Sequence, residues 1–497
     1  MKKMNAAVVV VGAGTAGAIS AIASSRLGLN TIVVEQTGSI GGVAVNALMG
    51  SFANLMISTK MEPMVGGIVK ELVRRIVEAS GTPYQTVEEA ILGKIQKPFT
   101  IPFSPVLYEH TLLEMLEEAD VKILLNTDFL TGERKESGLY RIRVVSGTQQ
   151  MEINAKVVID ATGNAIAAKE LGAEIRIQPE TTFGCLMRVG NVHIAETLHY
   201  IRDRRPWISD PDYEKWVRVY CGLTDDMNLG RLSHFTDPLH YDHAPMKNLA
   251  DNVMNQEKWA YIEERFAKEG IVYTLELSLF RYIVKQAIEN GDFFFDLPMG
   301  DDKGITYNGD GIAYGAWGGG VALCNVAKPY GFDASDAEES TQAALLAKKY
   351  NVTFSKFLKK YVPGFENSFL LDMGSQTVCR AEQMIVGCDD EQYYKKNSLY
   401  KEPIYTFGGI YDHQLGVHVP YGKIVSANCD NIFAIGKCAS HGEKYRSQIS
   451  CMSMGIAAAA ASKIICREGC NSHSIMPEQL RKQLADADVY IKGQGDS

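Results

Sequence analysis

An α/β fold in two domains is the class this sequence predicts, and three observations point to it. The chain opens on a β-branched run, Ala7-Val8-Val9-Val10-Val11, that breaks into spaced glycines and then a helix-forming stretch. Two more strand-like runs that end in glycine lie far downstream, at residues 156–163 and 431–436. The third observation is size, because 497 residues exceed what one ordinary core accommodates. A content of 46% apolar and 22% charged residues belongs to a globular chain and excludes a disordered one. The net charge of −9 speaks against a nucleic-acid binder, which needs a basic field.

The first element imitates a targeting segment. Met1-Lys2-Lys3 precedes an uncharged stretch from Met4 to Ser25, the pattern of a secretory signal peptide and long enough for a membrane span. The glycines decide otherwise. Gly12, Gly14 and Gly17 follow a strand and open a helix, and a second strand, Thr31-Ile32-Val33-Val34, ends in Glu35, 18 residues beyond Gly17. Gly12 permits the tight turn, Gly14 lets backbone amides approach a pyrophosphate, and Gly17 lets the helix pack closely on the strand. Thr15 and Ala16 begin the helix, whose unpaired amides face the phosphates. Glu35, with Gln36 beside it, accepts hydrogen bonds from an adenosine ribose diol and repels a 2′-phosphate, so NADP is disfavoured here.

The remaining elements separate FAD from NAD. Gly38-Ser39-Ile40-Gly41-Gly42 gives a second glycine turn directly after the second strand. Lys156 to Asp160 runs as a strand into Ala161-Thr162-Gly163, and Asn431 to Ile435 runs into Gly436-Lys437-Cys438. The latter leads to a helix over 450–465, with Met452 near its start and small residues at Gly455 and Ala457 to Ala461 for close packing. One dinucleotide site assembled from remote segments is a large-flavoprotein arrangement. It predicts a discontinuous Rossmann-like FAD-binding domain over 1–175 and 420–497, with an inserted α+β substrate or cap domain over 176–419. The FAD is expected to be held non-covalently, since no attachment motif is evident.

In these segments the chain resembles the FAD-dependent oxidoreductases related to fumarate reductase and succinate dehydrogenase flavoproteins, within the superfamily of flavoproteins with two dinucleotide-binding domains. Further pieces carry the resemblance: Gly66-Gly67-Ile68-Val69, the helix after Phe103-Ser104-Pro105, Gly331-Phe332-Asp333-Ala334, Tyr361-Val362-Pro363-Gly364-Phe365, Arg380 to Gly387, and Arg446-Ser447-Gln448-Ile449-Ser450-Cys451-Met452. There are three departures from the family pattern. Gln383 stands where a second arginine is usual, Val45 where a threonine is frequent, and the loop from Cys438 to Arg446 is short. The resemblance implies hydride transfer between flavin and a small polar metabolite. A flavin monooxygenase reduced by NAD(P)H and an electron-relay flavoprotein subunit are the alternatives.

The segment from Val189 to about Asp310 matches no family piece, carries Trp207, Trp216 and Trp259, with Trp317 just beyond, and reads as a cap with a helix over 256–268. Three side chains are candidates for catalysis. Arg446, ahead of the last helix, suits a substrate carboxylate; its other reading is an ion pair with Glu443. His441 suits proton transfer near neutral pH, and Arg380 sits in a family motif. His234, His240 and His243 lack zinc spacing, so no metal is expected. The ten cysteines form no CxxC pair and read as reduced thiols of a cytoplasmic protein. The expected partners are a small-molecule substrate and an electron donor or acceptor of unspecified kind, with room for a homo-oligomer and no membrane span.

Overall fold

The computed structural model describes residues 1–53, 66–80, 100–178, 182–204, 277–300, 302–307, 320–380, 382–407, 417–489 and 491, with short pieces between them. Contacts divide the chain into two units: Met1–Glu180 with Arg380–Ser497, and Thr181–Cys379. The first boundary lies beside the expected one at 175/176. The return is a correction: the chain rejoins the first unit at Arg380, not at residue 420. Pairing is the reason. Gln383–Ile385 runs antiparallel to Ile175–Ile177, and Val386 N–H donates to the Glu174 carbonyl at 2.8 Å.

In the first unit, β1 (Lys2–Val11) is flanked on both sides by parallel strands, β2 (Thr31–Val34) and β3 (Gln149–Asp160). Lys122–Leu124 extends the parallel ladder beyond β2, and β4 (Ile432–Ala434) pairs in parallel with the last residues of β3. The first half of β3 pairs with an antiparallel meander, Tyr140–Ser146 and then Asp128–Arg134. Central position explains the sequence: Val8, Val9 and Val10 are wholly buried, so the run is continuously apolar where a half-exposed strand would alternate. The apparent signal peptide is therefore core.

α1 (Thr15–Arg26) packs on α2 (Gln448–Glu468), and small side chains set the approach. A Cβ on Gly455 would lie 2.6 Å from the Ala16 carbonyl oxygen, and Ala457 to Ala461 are fully buried. Among the described residues α2 alone is long and apolar enough to cross a membrane, and 89% of its apolar window is buried as a core helix.

The second unit is antiparallel. Phe183–Gly190 lies between Val321–Tyr330 and Phe369–Met373, with Lys303–Tyr307 and Asp296–Gly300 extending the sheet. The helix Ala337–Tyr361 is capped by Asp336, whose carboxylate accepts from the N–H groups of Glu338 and Glu339. Phe293, Phe295, Tyr350, Phe354 and Phe357 are among the aromatic residues of the core of this unit. Phenylalanine and tyrosine thus carry this part of the core. Trp216 packs against it, whereas Trp207, Trp259 and most of the expected helix over 256–268 lie outside the described residues.

Candidate functional site

The glycines of the first turn are required for different reasons. Gly12 has φ +97°, and a Cβ there would lie 2.6 Å from the Ala161 carbonyl oxygen. A Cβ on Gly17 would lie 1.9 Å from the carbonyl oxygen of Gly12. The protein itself excludes side chains at both. Gly14 differs: its φ of −65° and ψ of −174° suit any residue, and a Cβ would meet only the Gly42 Cα, at 3.8 Å. Neither strain nor protein packing calls for glycine there. The space over Gly14 is a cradle that a side chain would fill, and among the described residues no side-chain cap hydrogen bond is made at the N-terminus of α1 beside it.

Three more segments close around this turn. Gly14 and Gly41 form a parallel bridge, and Gly41 N–H donates to the Ala13 carbonyl at 2.9 Å. The Thr15 hydroxyl donates to the Gly41 carbonyl and accepts from Tyr108 Oη at 3.1 Å. The buried Glu35 carboxylate is already engaged, accepting from Ala13 N–H at 2.7 Å and from the Thr37 N–H and hydroxyl at 2.9 Å each. Glu35 is thus a brace of the glycine turn as well as a ribose candidate. Gln36, next to it, is exposed.

At the end of β3, Asp160 holds the second turn. One carboxylate oxygen accepts from the Thr162 N–H and hydroxyl, the other from Ala168 N–H at 2.8 Å. Burial pushes the Asp160 carboxyl above its usual value, and these donors oppose that shift. Ala161 N–H donates to the Val11 carbonyl, which binds the turn to β1. The Lys437 side chain lies over Gly163, where a Cβ would meet its Cε at 2.9 Å. Gly436 returns the chain to α1, its would-be Cβ 3.5 Å from the Ala16 Cβ.

The loop from Gly436 to Ser447 then leads into α2. His441 takes a left-handed conformation, φ +53°, and its Nε2 receives Arg176 Nη1 at 2.6 Å. A guanidinium only donates, so the ring nitrogen it meets bears the lone pair. Arg446 is exposed two residues before α2, and its charge opposes the burial that raises the Cys451 thiol to about 12. The side chain of Glu443 lies outside the described residues. Ser447 caps α2 by accepting from Ser450 N–H at 3.3 Å. Gln448 donates to the Met49 and Ser51 carbonyls, while its Oε1 is buried with no partner among the described residues. Met452 is fully buried in the first turns of α2, and Arg380 is half-buried three residues ahead of Gln383–Ile385.

The structure therefore brings Gly12 to Gly17, Gly41, Gly42, Ala161 to Gly163, Gly436 and Lys437 together. Asp160, Tyr108, Glu109 (which accepts from Ile40 N–H at 3.0 Å), Arg176 and Gln448 were not singled out from sequence. The signal for Asp160 was present: an acid closing a buried strand just ahead of Ala161-Thr162-Gly163 has turn amides to accept from. Among the described residues no group of three or more His, Cys, Asp or Glu side chains could hold a metal. His234, His240 and His243 lie outside them.

The sequence profile of the family described as FAD dependent oxidoreductase matches residues 7–388 and 405–484. The match includes the segment after Val189, where the sequence reading found no family piece. The tRNA uridine 5-carboxymethylaminomethyl modification enzyme MnmG of Treponema denticola is 27% identical over 169 residues, 33% of this chain and 26% of that protein. Protein FixC of Escherichia coli O157:H7 is 28% identical over 182 residues, 34% of this chain and 40% of FixC. The chain thus spans well under half the length of these relatives. Two solved structures are similar over more of the chain. A geranylgeranyl bacteriochlorophyll reductase-like protein of Thermoplasma acidophilum has TM-score 0.43 at 12% identity, covering 98% of this chain and 85% of the other. The p-nitrophenol 4-monooxygenase PnpA of Pseudomonas putida has TM-score 0.40 at 9% identity, covering 98% and 84%. At that distance neither bears on what this chain does.

Proposed function

The chain belongs to the FAD dependent oxidoreductase family, and from that premise we propose that it oxidises or reduces a small polar metabolite with non-covalently held FAD. The observation that supports the placement of the cofactor is the cradle over Gly14, a glycine that neither backbone strain nor protein contact requires. When bound, FAD supplies the hydride acceptor or donor. The amides at the start of α1 hold the pyrophosphate, and Glu35 takes the ribose with its remaining lone pair. The amides at the start of α2 favour negative charge beside them, with Gln448 fixed at that position. Arg446, exposed ahead of α2, anchors an anionic group of the metabolite, and His441 holds or moves a proton at a ring nitrogen. Arg380 is the third candidate for substrate contact. The described cysteines are free thiols, which fits a cytoplasmic setting. The partners on this reading are a small molecule and an electron carrier, with no nucleic acid.

The test is anaerobic bleaching of the yellow protein by a panel of acids, polyols and amines. A metabolite that bleaches it should bind more weakly to Arg446→Ala and react more slowly with His441→Ala, both variants keeping their FAD. Wild-type bleaching rates in both variants would remove these residues from the chemistry.

A further inference from the structure

The segment from Arg380 to Gly387 ends beside a charge pair that the reading above leaves unused. Lys423 Nζ donates to Asp389 Oδ2 at 2.7 Å, and each side chain is only 9% exposed. The other Asp389 oxygen accepts the Ser440 hydroxyl at 2.7 Å, and Ser440 N–H donates to the Lys423 carbonyl at 2.9 Å. Ser440 is itself 1% exposed. Lys423 also sits over the Tyr445 ring, 5.0 Å from its centre. The packing leaves no slack. A Cβ on Gly387 would lie 2.6 Å from the Gly422 carbonyl oxygen and 2.7 Å from the Ser440 Cβ, and Cys388 N–H donates to that same carbonyl at 2.8 Å.

The residue after Ser440 is His441, in its left-handed conformation. On its other side, a Cβ on Gly442 would lie 2.5 Å from the Lys437 carbonyl oxygen. An unusual backbone conformation persists only where its surroundings over-determine it. Here the surroundings are the ion pair acting on Ser440 and the close approach at Gly442. We propose that Asp389 and Lys423, acting through Ser440, are positioning residues that fix His441 and the loop from Gly436 to Ser447. The proposal rests on the assignment of His441 and this loop to the flavin side of the site. A buried ion pair is a poor source of net stability but suits a single geometry, and here it would specify the loop.

The test uses the full-length, FAD-loaded protein with sulfite as the probe, an anion whose addition to oxidised flavin is read as bleaching. Replacing Asp389 leaves a buried lysine unpaired and risks unfolding, so Ser440→Ala is the informative variant: it keeps the pair and removes the one side-chain hydrogen bond that joins Asp389 to the loop. FAD content and melting temperature check that each protein is intact. Ser440→Ala should bind sulfite more weakly, by no more than the about tenfold that one lost hydrogen bond to a charged group can supply. His441→Ala should weaken sulfite as well, and the double variant should be no weaker than His441→Ala alone, because both changes act on one element. Two results would overturn the positioning role: sulfite affinity unchanged in Ser440→Ala while His441→Ala weakens it, or losses that add in the double variant. An unchanged affinity in His441→Ala, with Arg446→Ala still weakened, would instead overturn the assignment of His441 and the proposal with it.

Discussion

The turn at residues 12–17 and the loop at 436–447 are assigned to one cofactor, yet they are built by opposite means. The turn is a matter of backbone: glycines, main-chain amides and one brace from Glu35. The loop is a matter of side chains that meet from far apart, Asp389 with Lys423 over 34 residues and with Ser440 over 51. A backbone device leaves its pattern in consecutive residues, whereas a side-chain device leaves it scattered. On the proposed reading the first would hold the cofactor by shape and the second would place charge and protons beside it.

The largest effect expected from breaking this contrast is at Gly17. Gly17→Ala puts a methyl group 1.9 Å from the Gly12 carbonyl oxygen, a backbone atom that cannot turn aside. It should cost more than the about 1–3 kcal/mol typical of overpacking and leave little folded protein, as read by circular dichroism and expression in soluble form. A stable, yellow Gly17→Ala protein would mean that the turn is not held as described.

The ion pair under the loop comes next. Lys423→Met alone should destabilise by about 3–5 kcal/mol because it strands the Asp389 carboxylate, while Lys423→Met with Asp389→Leu should recover most of that loss. Burial raises the Asp389 carboxyl, but Lys423 and the Ser440 hydroxyl outweigh it and hold it below the usual aspartate value. A depressed folded value stabilises the fold at pH above the unfolded carboxylate value of about 3.9. That contribution is lost as pH falls through the lower folded value. Melting temperature against pH should therefore drop less steeply in acid for the double variant than for the wild type. Equal acid slopes would contradict the pairing.

Glu35→Gln is expected to be milder and to show in two readouts. Glu35 braces Ala13 and Thr37 through contacts within the protein, so the apoprotein should melt at lower temperature. FAD should also bind about 1.5–3 kcal/mol more weakly, the range for hydrogen bonds to a charged group. A melting change with unaltered FAD affinity would reduce Glu35 to a brace.

The same contrast explains what was legible in the sequence. The strand, glycine turn and helix from Lys2 to Arg26 were readable because each position meets a local demand of backbone or packing. The segments ending at Gly163 and Gly436 were readable for the same reason. The return point at Arg380 was not, because it depends on the three-residue strand Gln383–Ile385 finding Ile175–Ile177 across the inserted unit. Nor was the meeting of Arg176 with His441, 265 residues apart, since neither residue has a neighbour in sequence that announces it. The clustered tryptophans drew the sequence reading toward a cap, while Phe293, Phe354 and Phe357, which are spread along the chain, fill the core of the second unit.

The central claim is that the space over Gly14 belongs to the cofactor and not to the protein. FAD affinity and apoprotein melting temperature, measured together for Gly14→Val and the wild type, test it most directly. Because a Cβ at Gly14 meets only the Gly42 Cα at 3.8 Å, the apoprotein should melt within about 2–4 °C of the wild type, a change of about 1 kcal/mol. FAD binding should be lost. Retention of wild-type FAD affinity in a stably folded Gly14→Val protein would contradict the account.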